Sequence, residues 1–340
     1  MILVTGGLGF IGSHTVVALQ ENGYEVVIVD DLSNSSIDVI DGIEASSGIR
    51  PLFEEMNLQN SMALSSLFQK HTIKGIIHFA AFKAVGESIQ KPVAYYQNNL
   101  GSLLNLLAEV EKAASPIPFI FSSSCTVYGE AKELPITENA PIQSAKSPYG
   151  NTKQIGEEIL SDTVHAIDGF RVISLRYFNP IGAHSSIAIG ELPLGRPQNL
   201  VPIITQTAAG IFPELTVFGN DYPTADGTNI RDYIHVMDLA EAHVVALERV
   251  IEGKSNDAYE VFNLGTGKGS SVLEVIQSFE RISGKKLSYK IGARREGDVI
   301  AAYADTTKAN NILGWKTKRS LDEAVASAWE WEKKAMKFLK

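Results

Sequence analysis

The run Thr5-Gly6-Gly7-Leu8-Gly9-Phe10-Ile11-Gly12 constrains this chain more than any other stretch of its 340 residues. It follows the apolar run Ile2-Leu3-Val4 and precedes a helical period, so it is expected to be a strand-to-helix turn. Glycines in such a turn let backbone amides approach a pyrophosphate, whose charge is favoured by the positive end of the helix dipole. Further along, short β-branched runs alternate with helical periods: Val26–Asp30, Gly75–Ala81, Ile117–Ser122 and Val172–Arg176. Alternation of this kind predicts parallel strands with crossover helices, a doubly wound sheet.

The second of these strands ends at Asp30-Asp31, where a carboxylate can accept hydrogen bonds from the adenosine ribose hydroxyls of a dinucleotide. A 2′-phosphate would be repelled there and no Arg follows immediately, so NAD is expected rather than NADP. The expected class is α/β, a Rossmann-type doubly wound parallel sheet with a smaller α/β substrate-binding domain. After Asn179-Pro180 the chain turns to loops rich in Gly and Pro, which places the division near 180: residues 1–180 for the dinucleotide, 181–340 for the substrate. The run Tyr259–Leu264, ending in Gly265-Thr266-Gly267, reads as a strand that can return to the first sheet, within a segment near 230–265.

Ser147-Pro148-Tyr149-Gly150-Asn151-Thr152-Lys153 reads as a helix start, with Ser147 as N-cap and Pro148 at the first helical position. Tyr149 and Lys153 then share one helix face. A phenol is a poor base near neutral pH, but a lysine ammonium, a helix N-terminus and an oxidised nicotinamide each favour the phenolate, which makes Tyr149 the candidate general base. Upstream, Phe121-Ser122-Ser123-Ser124-Cys125-Thr126-Val127-Tyr128-Gly129 ends a buried strand with hydroxyls at the carboxyl edge of the sheet, where open α/β folds bind ligands. Ser124 is the candidate to hydrogen-bond the reacting oxygen.

Composition excludes several function classes. A formal net charge of −9 with no basic stripe argues against a general nucleic-acid binder. The single cysteine, Cys125, cannot form an intrachain disulfide, and a reducing cytoplasm fits it. No apolar run approaches the roughly 20 residues that span a bilayer. The seven histidines include no pair at metal-ligand spacing, so no metal site is expected.

The glycine spacing resembles the extended short-chain dehydrogenase/reductase superfamily, and within it the motifs are similar, in order along the chain, to the UDP-glucose 4-epimerase family. They comprise His78-Phe79-Ala80-Ala81 with Lys83 to Ser88, the run Phe121–Gly129, Tyr149 with Lys153, Arg176-Tyr177-Phe178-Asn179-Pro180, Phe218 to Tyr222, Arg231 to Val236, and Arg294-Arg295-Glu296-Gly297-Asp298. The resemblance implies that Tyr149 removes the sugar 4-OH proton, Ser124 shares the hydrogen bond to O4, and Lys153 orients the nicotinamide ribose. It implies NAD contacts from Gly6, Gly9, Phe10, Ile11, Gly12, Asp30, Asp31, Asn34, Asn57, Leu58, Phe79, Ala80, Ala81, Lys83, Asn98, Ser122, Tyr149, Lys153 and Tyr177. For a UDP-sugar it implies Lys83, Ser124, Tyr149 and Tyr177. To these it adds Asn179, Asn199, Leu200, Val217, Phe218, Arg231, Arg295, Asp298 and Ala302. Arg231 and Arg295 match diphosphate contacts, Phe218 the uracil pocket and Asp298 the ribose contact. A homodimer through helices of the first domain, in galactose metabolism, is also implied.

Two positions depart from the family pattern. Asn57-Leu58 stands where an aspartate usually precedes the residue packed on adenine, and Asn57 is expected to offer a carbonyl instead. Ala302 aligns with a size gate beside the sugar 2-substituent, so UDP-N-acetylglucosamine is expected to fit. A nucleotide-sugar dehydratase or decarboxylase is the enzymatic rival, but Cys125-Thr126-Val127 lacks the acid those families place there. A non-catalytic NAD sensor is the other rival, and it typically lacks the Tyr and Lys pair.

Overall fold

The structure is a computed structural model and describes residues 1–295 and 298–338. In chain order its first half is β1 (Ile2–Thr5), α1 (Phe10–Glu21), β2 (Val26–Asp30), α2 (Val39–Ser47), β3 (Leu52–Glu55), α3 (Ser61–Lys70), β4 (Gly75–His78), α4 (Val85–Gln90), α5 (Pro92–Lys112), β5 (Phe119–Ser124), α6 (Pro148–Ala166) and β6 (Val172–Tyr177). The second half runs β7 (Asn179–Ile181), α7 (Leu200–Ala208), β8 (Leu215–Phe218), β9 (Ile230–Arg231), β10 (Tyr233–His235), α8 (Val236–Ile251), β11 (Tyr259–Leu264), β12 (Ser270–Ser271), α9 (Val272–Ser283), β13 (Tyr289–Gly292), β14 (Ala301–Ala302) and α10 (Leu321–Phe338).

Seven parallel strands form one sheet in the order β3-β2-β1-β4-β5-β6-β11, the Rossmann arrangement expected from the alternating pattern. Because successive side chains on a strand face opposite ways, the continuous apolar run of β1 feeds two cores at once. Ile2 and Val4 pack with Val16, Val17, Leu19 and Leu239 on one face. Leu3 packs with Leu64, Leu103, Leu106 and Phe119 on the other. The strand order reverses between β1 and β4, so the loops after these strands diverge and leave a crevice at their carboxyl ends.

One strand escapes the hydrophobic pattern. β3 reads Leu-Phe-Glu-Glu and is half exposed, with Leu52 at 49%. It forms because β2 offers it a ladder, Val27 opposite Leu52 through Asp30 opposite Glu55, which overrides weak local propensity. The return strand β11 pairs in parallel with β6 from Tyr259–Val172 to Leu264–Tyr177, and α8 packs on α1.

A third core joins Val201, Ile204, Leu215, Val217, Val275, Ile276, Phe279, Val325 and Trp329. It is built from α7, α9, α10 and β8, and β13 pairs in parallel with β8 outside it. The C-terminal stretch forms α10, with Trp329 in this core; Leu339 and Lys340 lie outside the described residues.

Candidate active site

The glycine turn folds as its spacing requires. Gly6 has φ +66°, open to glycine at little cost, and a Cβ there would lie 2.8 Å from the Ala80 nitrogen. A Cβ on Gly12 would collide with the Gly6 carbonyl oxygen. The two glycines let α1 begin close against β1 and bring the turn beside Phe79 and Ala80. Gly9 is the N-cap of α1 and supplies no side-chain cap, and no acidic residue stands in the first turn, so the helix end keeps its affinity for an anion. This backbone cradle fits a dinucleotide pyrophosphate.

Asp30 at the end of β2 binds back to the turn: its Oδ2 accepts from the Leu8 nitrogen at 3.1 Å, and its Oδ1 accepts from Leu32 N and from Ser35 Oγ at 2.8 Å. Asp31 Oδ2 accepts from Asn57 Nδ2 at 2.9 Å. The Asn57 carbonyl expected to face adenine accepts from Gln59 N at 2.9 Å, which leaves it only its second lone pair for a base. Leu58 is buried in the sheet core, Asn34 stands on an exposed loop, and Asn98 Oδ1 accepts from Gln59 Nε2 at 3.4 Å. Ala81 and Lys83 lie on the loop after β4.

At the carboxyl edge of β5 and β6 the hydroxyl cluster comes together. Ser124 sits opposite Tyr177 and Ser122 opposite Leu175. Ser147 Oγ accepts from Gly150 N at 3.1 Å and Pro148 opens α6, which aims Tyr149 and Lys153 at this edge. Lys153 is buried, donates to the Ser122 carbonyl oxygen at 2.5 Å, and lies 6.0 Å from the Tyr149 ring centroid. Burial pushes the Tyr149 phenol up to about 12, with the Ser124 hydroxyl offsetting part of that shift. Burial also lowers the Lys153 ammonium to about 7, against the pull of Glu157. Lys153 is thus anchored on the strand rather than on the phenol, and within the protein's own groups Tyr149 keeps its proton at neutral pH. Tyr177 Oη and His243 Nε2 are 3.1 Å apart, and the His243 ring lies 4.7 Å from the Phe79 ring, tilted by 50°.

Residues of the second half gather in three groups, two of them joined where Asp298 N donates to the Arg295 carbonyl oxygen at 3.3 Å. Arg231 pairs in register with Ala302, donates from Nη1 to the Ile230 carbonyl, and stands 3.5 Å from Asp298. Ala302 packs on the cluster of Val127, Tyr128 and Phe178, just past Ser124. Arg295 lies 4.1 Å over the Phe218 ring. Asn199 Nδ2 donates to Glu191 at 2.7 Å, beside the first residue of α7, Leu200. Asn179 opens β7 and donates from its backbone nitrogen to the Asp232 carbonyl. Val217 turns its side chain into the third core, since β8 alternates and Phe218 faces out, so any ligand contact of Val217 falls to its backbone. Glu296 and Gly297 of the Arg294–Asp298 motif lie outside the described residues.

Two residues of the site framework carry no motif signal of their own. Glu157, on the Lys153 face of α6, makes a buried two-pronged pair with Arg176 at 2.9 and 2.5 Å and accepts from Ser123 Oγ. Asn99 bonds the Phe82 nitrogen and carbonyl and Thr152 Oγ1, tying the loop after β4 to α6. A carboxylate one turn after Lys153 was the available hint for Glu157; Asn99 had none.

A glycine cradle at the sheet's switch point, with a Tyr and Lys on the following helix face and hydroxyls at the strand edge, defines an extended short-chain dehydrogenase/reductase. A family model described as GDP-mannose 4,6 dehydratase matches residues 3–328. The chain is 49% identical to a UDP-glucose 4-epimerase of Bacillus subtilis (strain 168), over 97% of this chain and 96% of that protein. The fold superposes at TM-score 0.95 on a UDP-glucose-4-epimerase from Stenotrophomonas maltophila with bound NAD and formylated UDP-arabinopyranose, 43% identical over 100% of this chain and 99% of that one. For a UDP-glucose 4-epimerase from Bifidobacterium longum in complex with NAD+ and UDP, the TM-score is 0.93 at 45% identity, covering 98% of each chain. The chain belongs to the UDP-glucose 4-epimerase family of that superfamily.

Proposed function

We infer that this chain reversibly inverts C4 of UDP-glucose and UDP-galactose through a 4-keto sugar, with NAD held on residues 1–180 and the UDP-sugar on residues 181–340. The observation that carries this is the meeting of Tyr149, Ser124 and Lys153 at the sheet edge beside the glycine cradle, in a chain of this family. The chemistry supplied by NAD when bound is reversible hydride acceptance, with a positive ring in the oxidised form.

Tyr149 is the base and acid at the sugar O4, and Ser124 holds that oxygen. Since burial holds the phenol near 12, a cation beside it is needed to release its proton at neutral pH, and this couples base strength to cofactor oxidation state. Ser122, Tyr177, Asn98 and the Phe79–Lys83 loop line the cofactor side, together with Asp30, Asp31, Asn57, Leu58 and the Gly6–Gly12 turn. Arg231 and Arg295 take the diphosphate, Phe218 the uracil and Asp298 the ribose, with Asn179 and Asn199 on the nucleotide sugar. Firm hold on the nucleotide and weak hold on the hexose let the keto sugar turn and present its other face.

Ala302 leaves room for an N-acetyl group, which extends the substrates to UDP-N-acetylglucosamine and its C4 epimer. Among the described residues no helix is long and apolar enough to cross a membrane, in keeping with a cytoplasmic place in galactose metabolism. Exposed Ile89 on α4, with Val93 and Leu104 on α5, supports a homodimer through first-domain helices. The test is to incubate purified protein, without added cofactor, with the four UDP-hexoses and separate the products. Interconversion of UDP-glucose and UDP-galactose is expected, and a 4-keto-6-deoxy product in its place would overturn the reading.

A further inference from the structure

Glu191 lies on the loop between β7 and α7 and belongs to none of the residue groups assigned above. Its side chain is only 13% exposed, and α10 clamps its backbone. A Cβ on Gly190 would collide with the Trp331 ring, so only glycine lets the loop lie flat there, and Trp331 Nε1 donates to the Glu191 carbonyl oxygen at 2.8 Å. From this fixed point one carboxylate oxygen serves two partners: it accepts from Asn199 Nδ2 at 2.7 Å and stands 3.9 Å from Lys83 Nζ. Lys83 comes from the loop after β4 and Asn199 from the start of α7, so the carboxylate spans both sides of the crevice.

Asn199 is the N-cap of α7 yet gives its helix no side-chain cap, although asparagine is among the residues favoured for that role. Its amide is diverted to Glu191. An Nδ2 tied to a carboxylate leaves Oδ1 facing the other way, an acceptor set for a hydroxyl or imide N–H. Burial raises the Glu191 carboxyl, and Lys83 and Asn199 offset that rise.

We propose that Glu191 is a positioning residue for the nucleotide-sugar, orienting the Asn199 amide from one side of the crevice and steadying the Lys83 ammonium from the other. This rests on the assignment of Asn199 and Lys83 to the substrate.

The holoenzyme variants Glu191→Ala, Glu191→Gln, Asn199→Ala and the double Glu191→Ala/Asn199→Ala separate the possibilities, read by KM and kcat for UDP-glucose and by calorimetric affinity for UDP-glucose. Glu191→Ala raises KM about tenfold, the size of one charge-assisted hydrogen bond, with a much smaller change in kcat. Glu191→Gln, whose amide oxygen still accepts from Asn199, recovers most of that loss. The double variant loses less than the two single variants summed, because Glu191 acts in part through Asn199 and only the Lys83 share remains to be lost. Additive losses, or a Glu191→Ala defect in kcat as large as that in KM, would overturn the proposal. Impaired Asn199→Ala beside unimpaired Glu191→Ala overturns it alone, whereas unimpaired Asn199→Ala removes the substrate role of Asn199 and the proposal with it.

Discussion

On the Rossmann side of the crevice, Tyr149, Lys153 and Ser124 stand on a long helix and a six-residue central strand, with Lys153 and Ser124 at 4% and 8% exposure. On the opposite side Arg231 and Ala302 stand on two-residue strands, and Asp298, Arg295 and Phe218 on or beside loops. The Arg231 and Asp298 side chains are 15% and 30% exposed and 3.5 Å apart, a loose pair in contact with water. Under the proposed roles, chemistry sits where neighbouring strands over-determine position, and ligand capture where ion pairs can rearrange. A buried lysine held by one carbonyl tolerates little displacement; a loose, partly exposed pair costs less to break.

Experiments can break or sharpen this contrast. Tyr149→Phe removes the proton acceptor without changing the packing, and kcat should fall by about 10³-fold or more while bound NAD and the unfolding midpoint stay near the parent's. Retained turnover would take Tyr149 out of the chemistry. Gly12→Ala forces a methyl against Gly6, so the purified variant should lose bound NAD, read by absorbance after denaturation, and melt at lower temperature. On the other side, Arg231→Ala should raise KM for UDP-sugars by about 10- to 100-fold with a smaller change in kcat. A kcat loss as deep as that of Tyr149→Phe would erase the distinction between the two sides. Ala302→Tyr should abolish turnover of the N-acetyl substrates and spare UDP-glucose, as product separation would report.

The smallest effect concerns pH. Lys153 titrates near 7 in the folded chain, well below an ordinary lysine, so the unfolded chain binds more protons above that value. Stability of the cofactor-stripped protein should rise with pH from about 7 to about 9, above the range of the buried histidines and below that of Cys125. Lys153→Met should flatten that rise in urea unfolding curves, and an unchanged slope would show that the ammonium is not desolvated.

Much of the first sheet was legible because parallel strands buried on both faces leave unbroken apolar runs, and because only glycine satisfies the turn at Gly6 and Gly12. β3 was not, since an edge strand with Glu54 and Glu55 borrows its conformation from β2. Tyr149 and Lys153 were legible as a helix-face pair, but their electrostatic state was not: the lysine bonds a strand carbonyl rather than the phenol, and burial moves the two groups in opposite directions.

The sequence by itself determined the local geometry: which glycine turn opens a helix, which helix face carries the Tyr149 and Lys153 pair, which strand end carries hydroxyls. These depend on backbone conformations and spacings of a few residues. Only the tertiary structure decided how Arg231, Ala302, Glu191 and Asn199 come to face that edge. Their positions depend on ladders and packing between segments far apart in the chain, where no periodicity records the partner.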